Sequence, residues 1–413
     1  MPDERYCFDW YPGASGQLEI LGPSETKRSQ FRYTPPFRAT LRPPFADAQL
    51  QTLQDLDPIY IQLDKVAAWL KAGGSRKGGP AAPPPPPPPG KVDTELKKLG
   101  QLLLTLVLPP RIRSELQIRD LYLEIGTDEA LLDLPWELIY DGNDFLCASN
   151  FVGRFVNLSE SRIAAQQRVA PVYGVELEKL RILVISVPEP HPKDRSGNVL
   201  KDKDGNAVEY RKLTGAIAET EAVSETLAHI PFVQLEVVED ATLMAVFDKL
   251  QDGVYDIVHY SGHAVSNPDD IKSSGIVLQD RLLTTAQLSG MLGAHPPVFC
   301  FLNGCQTTRI AGSGWKGQYN LYGLGSAILD TGSYLLGSTW EIEDDTAASF
   351  ASRFYQCFLE GNSLGFATRE ARRQVRNPDY PDDLGWASYT FYGDPRLFIR
   401  AAVSKTILTP SRP

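Results

Sequence analysis

One histidine and one cysteine stand in matching surroundings. His263 lies in Ser261-Gly262-His263-Ala264, and Cys305 lies 42 residues later in Asn303-Gly304-Cys305-Gln306-Thr307. Each follows a short apolar run that reads as a buried strand, YDIVHY over 255–260 and VFCFLN over 298–303. Only a hairpin and a helix separate the two runs. In open α/β sheets reactive groups gather at the carboxyl ends of the strands. Parallel neighbouring strands would therefore bring His263 and Cys305 to one edge. A thiolate is a nucleophile, and a nearby imidazole lowers the thiol's pKa and can later protonate a leaving amine. The flanking glycines allow sharp turns and close approach of backbone to a substrate. The backbone N–H groups of Ala264 and Cys305 are then the expected oxyanion donors.

The plainer reading of a lone cysteine is a small buried hydrophobe. Cys300, mid-strand between two phenylalanines, fits it, as does Cys357 among Phe354, Phe358 and Leu359. Cys7 and Cys147 have no partner signal. His259 lies mid-strand and reads as a core histidine, while His229 ends a helix, where a cation suits the dipole. His191 falls in a charged segment and His295 precedes two prolines. Only His263 and Cys305 share a strand-end, glycine-flanked setting. On the residues alone, a catalytic dyad and a buried cysteine both remain open for Cys305.

The elements that must position these residues alternate. Strands are expected over 181–187, 232–239, 255–260, 298–303 and 333–340. Helices are expected over 214–230, 242–251, 284–292, 321–331 and, as a pair, 344–376. A hairpin reads over 275–283, and closing strands over 386–393 and 396–399. Buried strands alternating with helices imply an α/β fold with a mainly parallel sheet covered on both faces. Residues 188–212 break the rhythm with charge and with SGN and DGN turns, so an exposed loop or hairpin is expected there.

Further upstream, 93–179 carries a helical pattern over 92–107, a strand over 121–125 and a buried apolar turn over 131–140. Residues 73–92 are rich in Gly and Pro, with Pro83 to Pro89 expected as a polyproline II tether. Residues 1–72 read as a small mixed α+β region, with short strands over 17–43 and broken helix over 46–71, and are the candidate for regulation or partner docking. The catalytic unit is expected over 180–401.

Composition narrows the classes. A net charge of −10 argues against a surface built for nucleic-acid phosphates. Five irregularly spaced cysteines with no CxxC pair make no disulfide framework or structural zinc site. No signal-peptide pattern opens the chain, and no apolar run approaches the ~20 residues that span a bilayer, so a cytoplasmic protein without membrane contact is expected. No GxGxxG or GxxxxGK[ST] follows a strand, so neither a nucleotide nor any other cofactor is expected, and no metal site.

The blocks HYSGHA (259–264) and FLNGCQTT (301–308) resemble the two catalytic blocks of CHAT domains, caspase-like cysteine peptidases of the clan that holds caspases, gingipains and separase. LGQLLLTLVLP (99–109) and LPWELIYD (134–141) resemble the family's front segment. The stretch from STWEIEDD through 376 resembles its block after the cysteine, and WASYTFYGDP (386–395) its terminal signature. The resemblance spans about 93–400. It implies a caspase-like fold and a His263–Cys305 dyad in an endopeptidase that cuts a partner protein, in prokaryotic regulated proteolysis or defence, with a sensor protein as a candidate activator. Two positions depart from the pattern: Ala264 replaces the usual Gly, and Gly304 a frequent Ala. In separase-like relatives an acidic residue matching Asp344 lines a pocket for a basic P1 side chain, which implies cleavage after Arg. The plainer reading of Asp344 is an acid favoured at a helix start. The alternative for the whole chain is a catalytically silent caspase-like scaffold.

Overall fold

A computed structural model describes residues 5–8, 90–107, 113, 119–127, 135–156, 174–194, 196–201, 205–265, 274–304, 324–339, 342, 344–377 and 384–401. The strands are β1 (Arg5–Phe8), β2 (Tyr122–Thr127), β3 (Phe151–Val156), β4 (Gly174–Leu177), β5 (Leu180–Val187), β6 (Val233–Glu239), β7 (Ile257–Gly262), β8 (Ala264–Val265), β9 (Gly275–Val277), β10 (Leu282–Thr284), β11 (Phe299–Asn303), β12 (Tyr334–Ser338), β13 (Tyr389–Tyr392) and β14 (Phe398–Ala401). The longer helices are α1 (Lys91–Leu102), α2 (Thr214–Ala228), α3 (Leu243–Asp252), α4 (Thr285–Ala294), α5 (Leu324–Thr331), α6 (Asp344–Leu359) and α7 (Leu364–Val375).

Nine strands form one sheet in the order β1-β2-β3-β13-β12-β11-β7-β5-β6. Every neighbouring pair is parallel except β12 and β13. The period-two geometry of its strands splits their apolar runs between two cores. Ile182, Val184, Ile257, Phe299, Phe301 and Leu336 face one core, with Val223 and Leu227 of α2 and Phe350, Phe354 and Phe358 of α6. Leu183, Ile185, Val258, Tyr260, Cys300, Leu302 and Leu335 face the other, with Val246 of α3, Leu288 of α4 and Ile328 of α5. This is why the strands read as continuous apolar runs: both faces are covered. The α/β fold with a mainly parallel sheet and helices on both faces is as expected.

Three features differ from the sequence reading. The closing strand expected over 386–393 is a helical turn over Gly385–Ser388 followed by β13, because Gly385-Trp386-Ala387 pack as one turn against α7 rather than extending. β13 lies inside the sheet, between β12 and β3, and its direction divides the two parallel blocks. β1, β3 and β4 form beyond the expected set, and β4 pairs with β14, which overlaps the strand expected over 396–399. The short strands expected over 17–43, the helix over 46–71 and the polyproline run lie outside the described residues. α1 begins at Lys91 behind Gly90, whose φ of 74° is left-handed, where glycine carries no Cβ penalty.

Candidate active site

β7 and β11 are parallel neighbours, with Ile257 level with Phe299 and Ser261 level with Asn303. The chain leaves β7 at His263 and leaves β11 at Gly304, on the same edge. Gly262 makes the exit possible: a Cβ there would lie 2.6 Å from the Tyr260 hydroxyl and 3.0 Å from the Val187 carbonyl. That hydroxyl lies 2.6 Å from the His263 carbonyl and 2.9 Å from the Val277 carbonyl, and donates across the base of the turn.

His263 is half-buried. Its Nε2 lies 2.7 Å from the carbonyl oxygen of Arg211, and its ring packs on Tyr210 with centroids 5.1 Å apart. A carbonyl only accepts, so Nε2 carries the hydrogen and Nδ1 carries the lone pair of the neutral imidazole. Both partners come from the charged segment 188–212, which forms the expected exposed, bridged loop, with Lys193 opposite Val199 and Lys201 opposite Ala207. Nothing in the residue types of this segment signals that its end reaches the histidine. Tyr210's phenol is pushed above its ordinary pKa by burial.

Ala264 opens β8 and sits opposite Ile276 of β9. The Val277 N–H donates to the His263 carbonyl at 2.8 Å, which brackets Ala264 and Ile276 as a non-hydrogen-bonded pair. This ladder therefore does not use the Ala264 N–H. Gly304 is held at β12, its carbonyl accepting from the Ser338 hydroxyl at 2.5 Å. Cys305 follows it directly in sequence and lies outside the described residues, as does its backbone N–H. Asp344 is the first residue of α6; its side chain lies outside the described residues.

Beneath the edge lies a buried polar cluster that sequence reasoning missed. Glu219 of α2 is 1% exposed. Its Oε2 accepts from the Ser261 hydroxyl at 2.5 Å, and its Oε1 accepts from the Asn303 amide at 2.6 Å. His259 Nε2 lies 3.1 Å from the same Oε1, and His259 Nδ1 lies 3.1 Å from the Tyr355 hydroxyl of α6. Tyr389 of β13 donates to the side-chain oxygen Oδ1 of Asn303 at 3.4 Å. Burial, and then the Glu219 charge, hold the Tyr355 and Tyr389 hydroxyls well above their ordinary pKa.

The cysteines whose side chains are described, Cys147, Cys300 and Cys357, behave as core. Burial pushes the Cys147 thiol up to about 11 and raises those of Cys300 and Cys357. All three are free and buried. Among the described residues no group of His, Cys, Asp or Glu is placed to hold a metal ion, and no helix is long and apolar enough to cross a membrane.

No curated protein matches the chain. Among solved structures, the Saccharomyces cerevisiae separase–securin complex aligns twice. One alignment has 16% identity over 67% of this chain and 15% of that one, TM-score 0.41; the other has 15% identity over 87% and 23%, TM-score 0.40. The chain thus spans less than a quarter of the separase chains. Caspase-1 from Spodoptera frugiperda aligns at 12% identity over 58% of this chain and 96% of that one, TM-score 0.35. The CHAT domain family matches residues 97–394, from within α1 to just beyond β13. That span is well over half of the 413 residues, and the chain belongs to the CHAT domain family.

Proposed function

We propose that the chain is a cysteine endopeptidase that hydrolyses peptide bonds of a partner protein, with Cys305 as nucleophile and His263 as its proton carrier. The observation that carries this reading is the placement of His263. Its ring is oriented through Nε2 by the Arg211 carbonyl, at the exit of the strand whose parallel neighbour runs directly into Cys305.

In this reading Nδ1 of His263 takes the Cys305 proton, and the Sγ thiolate attacks the scissile carbonyl carbon. The negative oxygen of the tetrahedral adduct accepts from the N–H groups of Ala264 and Cys305. Collapse breaks the C–N bond, and the imidazolium gives its proton to the leaving amine. A water then attacks the thioester, its proton going to His263, and the carboxylic acid product leaves as the thiol re-forms.

The preferred P1 residue in this reading is Arg, paired with Asp344 at the start of α6, which follows β12 on the same edge. The setting implied by the family resemblance is prokaryotic regulated proteolysis or defence, in the cytoplasm, under a separate sensor protein or residues 1–72. The test is hydrolysis of fluorogenic peptides bearing Arg, Lys, Asp or Leu at P1, beside Cys305→Ala. Cleavage after Arg that vanishes in the variant supports the whole reading. Cleavage after another residue keeps the dyad and removes the role of Asp344.

A further inference from the structure

We infer that Glu219 is the positioning residue of this site: its buried carboxylate clamps the ends of β7 and β11 and so fixes the spacing of the two residues that follow them. The inference rests on the reading of His263 and Cys305 as the dyad.

The clamp sits where the backbone stops doing the same task. The parallel ladder between β7 and β11 ends at Ser261 and Asn303, and these are the two residues whose side chains donate to Glu219. Ser261 precedes His263 by two positions, and Asn303 precedes Cys305 by two. One carboxylate oxygen serves each strand, so the separation of the strand ends follows the fixed O–C–O geometry. α2, which carries Glu219, is itself tied to a third strand by the Thr220 hydroxyl donating to Ser186 of β5 at 2.9 Å. His259 Nε2 lies beside the carboxylate at 3.1 Å without forming a hydrogen bond, its Nδ1 faces the Tyr355 hydroxyl, and Tyr389 donates to the Asn303 side-chain oxygen from β13.

A carboxylate at 1% exposure is costly unless its lone pairs are filled. Here the groups that fill them come from strand ends rather than from mid-strand apolar positions, which packing alone could serve with a hydrophobe. Ser261 and Asn303 are acceptable at those buried positions because a carboxylate faces them. Glu219 touches no reacting atom in this arrangement; it acts through the two strand ends.

The test compares Ser261→Ala, Asn303→Asp, Glu219→Gln and the double variant Glu219→Gln/Asn303→Asp with the full wild-type chain. Turnover is measured on the best cleaved peptide and normalised to folded protein, together with the rate of Cys305 alkylation by iodoacetamide, read on its own peptide by mass spectrometry. Asn303→Asp sets two carboxylates against each other and should lower kcat on the order of 100-fold at unchanged KM, the scale of an ångström's misplacement. The double variant restores an amide-to-carboxylate bond with the roles exchanged and should recover most of that loss. Ser261→Ala removes one hydroxyl, should fold, and should lower kcat several-fold; it decides the question alone where Asn303→Asp does not fold. Wild-type kcat and Cys305 reactivity in folded Ser261→Ala and Asn303→Asp would overturn the clamp, as would losses that only track the unfolded fraction. A wild-type chain without Cys305-dependent turnover would instead remove the dyad reading, and the clamp's role with it.

Discussion

His263 owes its orientation to groups that are distant in sequence. The imidazole is held by the Arg211 carbonyl and the Tyr210 ring, while its own carbonyl is held by Tyr260 and Val277. Replacing His263 by Ala removes the proposed proton carrier and should lower kcat/KM roughly 10²- to 10⁴-fold, measured with the best cleaved peptide. The cysteines give a second prediction. A thiol raised to about 11 is almost entirely protonated at pH 7.5, and only the thiolate alkylates, so Cys147 should stay unmodified in the folded protein, with the buried Cys300 and Cys357. Peptide mapping after iodoacetamide should find Cys305 modified first; fast labelling of Cys300 would contradict its burial. His263 and Cys305 were legible as candidates because each follows an apolar run and a glycine. Tyr210 and Arg211 were not, since their segment is charged and turn-rich and carries no mark of the contact it makes 52 residues later. Glu219 was hidden for a related reason: in AETEAVSE a glutamate reads as a solvated helix face.

Among the elements, the segment 188–212 and α6 carry the sharpest tests. Tyr210→Ala strips the ring from His263 and should lower kcat several-fold, whereas Tyr210→Phe keeps the ring contact and should retain activity. Equal loss in both would mean that the hydroxyl, not the ring, matters. Asp344 separates two physical roles. As an acid in the first turn of α6 it is worth about 0.3–1 kcal/mol through the helix dipole, so Asp344→Asn should change thermal stability little. As the partner of a P1 guanidinium it supplies charge-assisted hydrogen bonds, and its loss should cost about 10- to 100-fold in kcat/KM for Arg peptides. A variant that unfolds earlier but cuts Arg peptides normally would leave only the helix role. Helices and buried strands from 180 onward were legible in their periodicity. The helical turn before β13 was not, because Trp386 and the aromatic and β-branched YTFY after it carry the composition of a strand across the short Ala387-Ser388 gap.

At the scale of the molecule, β13 closes the chain back into the middle of the sheet. It lies between β12, antiparallel, and β3, parallel, so the upstream and downstream parts share one sheet. The contact is reinforced by Phe145 against Trp386 and by Arg376 paired with Asp144 at 2.6 Å. A fragment beginning at residue 180 should therefore fail to fold cooperatively, since it leaves one side of β13 unpaired and uncovers the α7 face; a sharp thermal transition from that fragment would argue against a shared core. Sequence patterning predicted the layered α/β architecture, because burial on both faces writes itself into each strand. It could not place β13, because strand order depends on which edges meet in space and not on any local signal.

In the proposed dyad Cys305 attacks and His263 moves the proton. The most direct measurement is cleavage of P1-Arg fluorogenic peptides by the wild-type chain and by Cys305→Ala. The dyad requires turnover by the wild type and none by the variant. Equal turnover by both would contradict it, as would a wild type that neither cuts any peptide nor is labelled at Cys305 by a peptidyl chloromethylketone.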